Sequence, residues 1–258
     1  MKNTPMSKAL LILLAIAVLA VIGFVFYSHR ATTALPVQVS ETTPLPGATD
    51  WPSAKVSDAT VTDNGSYYTI NATYPVVKDA TISGYFKSFV DDSVTQFKSD
   101  TSWAANNGAN QAPAEAASLS LHITYTEEQS SIADNYIFAT DTYTGGAHDL
   151  QATKTYSFSP TGQQIPVSGL FTNGDAGLKT IAPYVKDQLS ASTDADASMI
   201  ADGTAPTEAN YENFTIESDG VTFIFDPYQV APYSDGQQKV KVPLSVFKSI
   251  ANPDIFTN

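Results

Sequence analysis

The chain has 258 residues, no cysteine, and 26 acidic side chains against 13 Lys and Arg, for a formal net charge of −13 at pH 7. Three of those basic residues and none of the acids precede residue 31, so the remainder carries 10 basic against 26 acidic groups, a net charge of −16. That field repels phosphates and excludes a nucleic-acid partner, and the lack of cysteine excludes a disulfide-stapled fold.

Ala9 to Tyr27 is an uninterrupted apolar run of nineteen residues, thirteen of them Leu, Ile, Val or Phe. At helical rise such a run spans about 28 Å, the thickness of a bilayer's hydrocarbon core. On an insertion scale its side chains contribute about −4 to −8 kcal/mol. A cleaved signal peptide would carry a shorter apolar region, about 7–15 residues, ending in a small-x-small site. Here the run ends in Phe24-Val-Phe-Tyr27, followed by His29 and Arg30. The expectation is a single-pass anchor over residues 1–30 in the cell membrane. Lys2 and Lys8 mark a cytoplasmic N-terminus, and everything after residue 30 is extracytoplasmic. Residues 31–53, rich in Thr, Pro and small side chains, read as a semi-stiff tether.

Beyond the tether the patterning alternates between strand and helix. Tyr68, Ile70, Ala72 and Tyr74 share one parity, which marks a half-buried strand. Asn64-Gly65 is a turn signal that makes Lys55–Thr62 its hairpin partner. From Asp79 to about Trp103 the period becomes helical, with a stripe of Ile82, Phe86, Phe89, Val90, Val94 and Phe97 to pack on a sheet. Asn106–Ala114 reads as a loop. Leu119, Leu121, Ile123 and Tyr125, and then Tyr136, Phe138, Thr140 and Thr142, predict two strands separated by Glu127–Ile132. Tyr156 and Phe158 mark another strand, which ends in the turn Ser159–Gly162. Leu178, Ile181, Val185 and Leu189 define a second helix, with Asn173 or Asp175 as its cap. Ser190–Ala205 reads as a small-residue acidic loop, followed by a short helix at Thr207–Tyr211. Phe214–Ile216, Val221–Phe225 and Gln238–Val242 read as strands. Pro243 suits the first turn of a last helix, with Leu244, Phe247 and Ile250 facing inward. The fold class is α+β: a mixed or antiparallel sheet with two main packed helices, behind one N-terminal transmembrane helix. The expected division is a strand–strand–helix subdomain at 54–114 and a C-terminal α+β subdomain at 115–258.

No catalytic motif is present. There is no Gly-x-Ser-x-Gly elbow, no Ser-x-x-Lys that serves and no cysteine nucleophile. Histidine occurs only at 29, 122 and 148, with no His-x-x-x-His pair, so neither a metal nor another cofactor is expected. His122 has the parity of the solvent face of its strand. The segment from Asp194 lacks the glycine and glutamate of a calcium loop. Glu127-Glu128 and Asp91-Asp92 read as solvated acids. Two places stand out as ligand-binding or loop-structuring. Gly145 and Gly146 supply backbone freedom after a strand, with His148 and Asp149 just beyond. His148 there either ties the loop to a carbonyl or to Asp149, or presents its imidazole to a ligand. Tyr228 and Tyr233, stiffened by Pro227 and Pro232, make a contact surface suited to proteins or sugars, or pack over a sheet edge.

Four segments together resemble a known module. They are Thr144-Gly-Gly-Ala-His-Asp149, Tyr156-Ser-Phe-Ser-Pro-Thr-Gly162, Ile165-Pro-Val-Ser-Gly-Leu-Phe171 and Phe225-Asp-Pro-Tyr-Gln-Val-Ala-Pro-Tyr-Ser-Asp-Gly236. They are similar to the extracytoplasmic module of RsiV-type anti-sigma factors and PdaC-type peptidoglycan deacetylases, over nearly all of residues 55–250. RsiV-like proteins bind lysozyme with this module and hold a sigma factor in the cytoplasm. PdaC-like proteins append a zinc deacetylase domain. The eight residues before the apolar run are too few for a sigma-binding segment, and the chain to Asn258 has no room for a deacetylase domain. The resemblance therefore implies a non-enzymatic sensor or binding module of the bacterial envelope. Its expected partner is a cationic protein such as lysozyme. The alternative is a glycan-binding or peptidoglycan-modifying accessory protein.

Overall fold

The computed structural model of the chain describes residues 50–106, 119–193 and 195–256. The anchor expected at Ala9–Tyr27, most of the tether, the loop after Asn106 and Asp194 lie outside the described residues. No helix among the described residues is long and apolar enough to cross a membrane.

The fold is α+β, built on two sheets. Strands β1 (Lys55–Asn64) and β2 (Tyr68–Val77) form the expected antiparallel hairpin. Helix α1 (Ala80–Asp100) follows, capped by Asp79, whose carboxylate accepts from the Thr81 and Ile82 amides at 2.7 and 3.1 Å. A short helix α2 (Ser102–Asn106) comes next, and β3 (Leu119–Gln129) lies parallel to β2. Strands β4 (Asp134–Tyr143) and β5 (Leu150–Phe158) then add antiparallel, giving a mixed five-stranded sheet in sequence order. The line expected between subdomains at 114/115 thus passes between β2 and β3, two paired strands of one sheet.

The helical stripe does what its period requires. Ile82, Phe86, Val90 and Phe97 are buried against Ile70, Ala72, Leu121, Ile123, Tyr136, Phe138 and Phe158. Phe89 and Val94 flank them, half-buried. Phe86 meets the Tyr136 and Phe138 rings at centroid distances of 4.8 and 5.4 Å, so aromatic packing adds to area burial here.

A second core is built by α3 (Leu178–Ser192), α4 (Ala197–Gly203) and the antiparallel sheet β6 (Phe214–Glu217), β7 (Gly220–Phe225) and β8 (Gln238–Pro243), closed by α5 (Leu244–Phe247). Leu178, Ile181, Val185 and Leu189 pack on Ile216, Val221, Phe223, Phe225 and Val242, with Tyr211 and Phe247 sealing the ends.

Four sequence expectations are corrected. Neither Asn173 nor Asp175 caps α3, because a 3-10 turn at Gly174–Gly177 runs straight into the helix and occupies its first donors. The supposed loop 190–205 contains α4, capped by Asp196 and anchored by the buried Ile200; Met199 and Ile200, adjacent among small residues, leave no periodic signal. Pro243 ends β8 and precedes the first turn of α5 rather than sitting inside it. Strand β3 continues through Glu127 to Gln129, which brings Glu127 opposite Tyr136 and half-buries it, so only Glu128 of that pair is exposed. His122 is exposed, as its parity implied.

The sheets meet along a polar seam. Buried Asn135 on β4 donates to the carbonyls of Glu128 (2.8 Å) and Ile216 (3.1 Å), and accepts from the Ile216 amide (2.9 Å) and the Ser157 hydroxyl (2.8 Å). Its side-chain amide thereby pairs with β6 much as a strand backbone would. One position along, the Thr155 amide donates to Asn213 Oδ1 at 3.2 Å and the Thr155 hydroxyl accepts from the Phe214 amide at 2.9 Å. The side chains of Asn135 on β4 and Thr155 on β5 therefore satisfy buried backbone groups on β6.

Candidate functional site

The loop between β4 and β5 carries Gly145, Gly146, His148 and Asp149, all exposed. Gly145 adopts φ 99°, a conformation L side chains rarely take. A Cβ there would also stand 3.3 Å from the Trp103 ring. Gly146 has no such backbone demand, and a Cβ there would make only an ordinary contact, 3.7 Å from the His148 carbonyl oxygen. His148 Nδ1 lies 2.7 Å from the carbonyl oxygen of Asp149, which fixes the ring against its own backbone. The Asp149 side chain is not used for this.

The second block comes to the same place. The His148 ring stacks on Tyr233 at 4.0 Å between centroids and 23° between planes. Tyr228 lies 6.4 Å from His148 and 5.6 Å from Tyr233, and its hydroxyl is 3.3 Å from His148 Nε2. With Nδ1 donating to the carbonyl, Nε2 is the acceptor of the Tyr228 hydroxyl. Of the six candidates, then, His148, Tyr228 and Tyr233 form one cluster. Gly145 shapes the loop beneath it, while the Gly146 and Asp149 side-chain positions stand apart.

The tyrosines are held by residues with no motif of their own. Tyr228 is the one non-glycine residue of positive φ (67°) among the described residues, in a turn closed by Gln229 N–H to Asp226 O (3.0 Å) and Tyr228 N–H to Ala231 O (3.0 Å). Such a conformation costs on the order of 1 kcal/mol or more and persists only where neighbours enforce it. Here the Gln229 amide donates to Asn210 O (2.9 Å) and Gly203 O (3.3 Å), anchoring the turn to α4. A Cβ on Gly203 would collide with the Gln229 carbonyl oxygen. Tyr233 opens a 3-10 turn after Pro232. Tyr228 remains 54% exposed, and Trp103, at the far end of the glycine loop, 49%. Trp103, Gln229, Asn210 and Gly203 escaped sequence reasoning. Only an aromatic at the exposed end of the α1 stripe hinted at Trp103.

The cluster offers flat apolar faces, a phenol and an imidazole on a rigid base. That set suits recognition; no group of three or more His, Cys, Asp or Glu side chains able to hold a metal occurs among the described residues. A separate cleft of about 270 Å³ lies along the seam beside Thr155, Ile165, Pro166 and Phe214, its mouth bridged by Lys154 and Glu212 at 3.2 Å. The Thr155 hydroxyl that lines it is already committed to the Phe214 amide.

Residues 168–245 match the family described as "Protein of unknown function (DUF3298)". The chain is 25% identical over 238 residues to the peptidoglycan-N-acetylmuramic acid deacetylase PdaC of Bacillus subtilis, covering 91% of this chain and 49% of PdaC. It is 31% identical over 108 residues to an esterase of Mycobacterium tuberculosis, covering 42% of this chain and 47% of the esterase. The chain thus spans about half the length of these curated relatives. Among solved structures, a DUF3298 family member from Bacteroides fragilis superposes with a TM-score of 0.55 at 21% identity, over 80% of this chain and 98% of that one. These similarities fit an extracytoplasmic module of the cell envelope. The resemblance to PdaC-type proteins is therefore shown, with residues 168–245 similar to the DUF3298 family.

Proposed function

We propose that the chain is a non-enzymatic binding module of the bacterial cell envelope, anchored in the membrane through Ala9–Tyr27 with its folded body outside. Its ligand is a cationic protein such as lysozyme, met at the His148–Tyr228–Tyr233 surface. The observation that carries this reading is the stacked cluster itself: a strained, outward Tyr228 beside a stacked His148–Tyr233 pair. Rigid aromatics present large contact area at low entropic cost. The net charge of −16 outside the N-terminal segment supports a basic partner, since opposite fields speed encounter.

The test is binding of lysozyme to the full chain in detergent, measured across a salt series. Affinity should fall as salt rises, and Tyr228→Ala with Tyr233→Ala should abolish it. No binding at low salt would reject the protein-ligand reading.

A second reading, cell-wall glycan binding or an accessory role in peptidoglycan modification, is favoured by the similarity to a peptidoglycan deacetylase. Co-sedimentation of the chain with purified peptidoglycan, lost in the same double variant, would select it.

A further inference from the structure

At the start of β4, the strand whose other end leads into the glycine loop, a set of polar groups lies beneath the segment that enters the folded body. Ser53 and Asp134 are fully buried. Neither oxygen of the Asp134 carboxyl, nor the Ser53 hydroxyl, has a hydrogen-bond partner. Asp134 and Tyr136 lie two apart on β4 and so share a face, and Glu127, opposite Tyr136 on β3, points to that face as well. The groups around the pair come from each adjoining element. β4 contributes Tyr136, whose hydroxyl donates to Ser53 O at 2.7 Å. β3 contributes Tyr125, bonded to Asp58. β1 contributes Lys55, engaged with Asp58 at 3.0 Å and lying over the Tyr125 ring at 5.4 Å.

An ionised carboxylate cannot sit fully buried with both oxygens unpaired; it takes up a proton or a counter-ion instead. Lys55 is committed to Asp58 and is partly exposed, so it does not neutralise Asp134. Glu127 is a carboxyl on the same face and an acceptor for a proton carried by Asp134. Two carboxyls so placed do not both ionise.

We propose that Asp134 and Glu127 hold a single proton between them, Asp134 donating to Glu127, and that this shared proton latches the 51–54 segment onto the sheet. That segment is otherwise held by the Tyr136 hydroxyl on Ser53 O and by two backbone bonds, Lys78 N–H to Ala54 O (3.0 Å) and Asp79 N–H to Pro52 O (2.8 Å), while Ala54 N–H to Trp51 O (3.0 Å) closes a turn within it. Losing the proton places two negative charges under Ser53, where the donors at hand are the neutral hydroxyls of Ser53 and Tyr136 and the cation Lys55 is committed to Asp58.

The electrostatics agree. Burial first, and the charge of Glu127 second, raise Asp134 to about 7, and burial raises Glu127. An acid raised in the folded state binds its proton there while the unfolded chain has released it. Stability therefore falls as pH climbs from the ordinary aspartate value to about 7, and levels off above that.

The test uses the full chain in detergent. Thermal unfolding from pH 5 to 8.5 is followed for the wild type, Asp134→Asn and Glu127→Gln, with Trp51 emission read in a Trp103→Phe background. In the wild type, Tm should decline toward pH 7 and Trp51 emission shift to the red over the same interval. Asp134→Asn, which keeps a donor to Glu127 and has no proton to lose, should remove both changes. If it fails to fold, ¹³C-carboxyl titration of the wild type decides: a midpoint near 7 supports the shared proton, and one near 4 overturns it. A Tm raised by calcium or magnesium, reversed by chelator and absent in Glu127→Gln, would overturn the proposal in favour of a cation held by the same carboxyls.

Discussion

His148 and Tyr233, 85 residues apart in the chain, stack face to face at 4.0 Å, and the imidazole's outward nitrogen meets the Tyr228 hydroxyl at 3.3 Å. Tyr233→Ala therefore removes one wall of the cluster and leaves the body intact. The expected outcome is a loss of lysozyme affinity of about tenfold or more, equivalent to roughly 1.4 kcal/mol. The Tm should change little, because a surface pair of one exposed and one half-buried ring contributes only about 0.5–1.5 kcal/mol. Calorimetric titration beside thermal unfolding checks both; a large Tm drop would recast Tyr233 as a structural residue.

The turn bearing Tyr228 is set from behind. Gly203→Ala drives a methyl group into the Gln229 carbonyl, so either α4 or the turn must move. Overpacking of this kind costs about 1–3 kcal/mol. The displacement is aimed at Tyr228, so binding should weaken although the substituted residue is buried and touches no ligand. Urea denaturation and ligand titration on one preparation test this. Unchanged binding with reduced stability would show that the turn is held by Gly203 for stability alone.

How much of this was legible follows from the range of each signal. The stripe Ile82–Phe97 and the alternation Tyr68–Tyr74 are local periodicities, and the structure buries those faces. The glycine loop and the Pro-Tyr block were legible as two separate oddities. Their meeting was not, because contact between loops leaves no period in either. The same holds for Gln229 and Asn210, ordinary polar residues whose role exists only through the bonds they make. Glu127 was misread because a charged residue near a strand's end resembles the start of a turn. Its burial depends on β3 running past Tyr125 to Gln129, a fact set by pairing with β4. Helix α4 was missed because its buried residues, Ile200 and Gly203, include a single large side chain, too little to make a period.

Asp79 gives a prediction at acid pH. Its carboxylate accepts from the Ile82 and Thr81 amides at the head of α1, and these bonds hold its pKa below the ordinary value. A depressed carboxylate contributes stability above the unfolded-state pKa and loses it as pH falls through the folded value. Asp79→Asn keeps an acceptor for the cap but does not titrate. Its Tm should fall less steeply than the wild type's between pH 5 and pH 2, while Asp79→Ala should be less stable throughout the neutral range. Parallel acid limbs for wild type and Asp79→Asn would remove Asp79 from the account.

The last prediction concerns what makes two cores behave as one. Phe86 belongs to the core under α1 and Phe223 to the core under α3, and the apolar contacts of each stay largely on their own side. The link is the seam, where Asn135 uses both amide hydrogens and both oxygen lone pairs, two of the four bonds going to Ile216 across the joint. Asn135→Ala strips the Ile216 N–H and C=O of their partners while leaving them buried. Each such orphan costs about 1–3 kcal/mol, so the expected loss is roughly 2–5 kcal/mol, a large share of a domain's usual stability. Asn135→Asp should be as harmful, because a carboxylate can still accept from the Ile216 amide but cannot donate to either carbonyl, and it carries a charge into a buried site. The consequence for cooperativity is sharper than that for stability. With the seam intact the chain should unfold in one calorimetric transition whose measured and van't Hoff enthalpies agree. With Asn135→Ala the two sheets have less reason to melt together, and the endotherm should broaden or split. A control in the core, Phe86→Ala, should cost about 3–5 kcal/mol and lower Tm without splitting the transition, because it weakens one side and leaves the joint whole. If Phe86→Ala splits the endotherm and Asn135→Ala does not, coupling between the sheets runs through apolar packing and not through the Asn135 bridge.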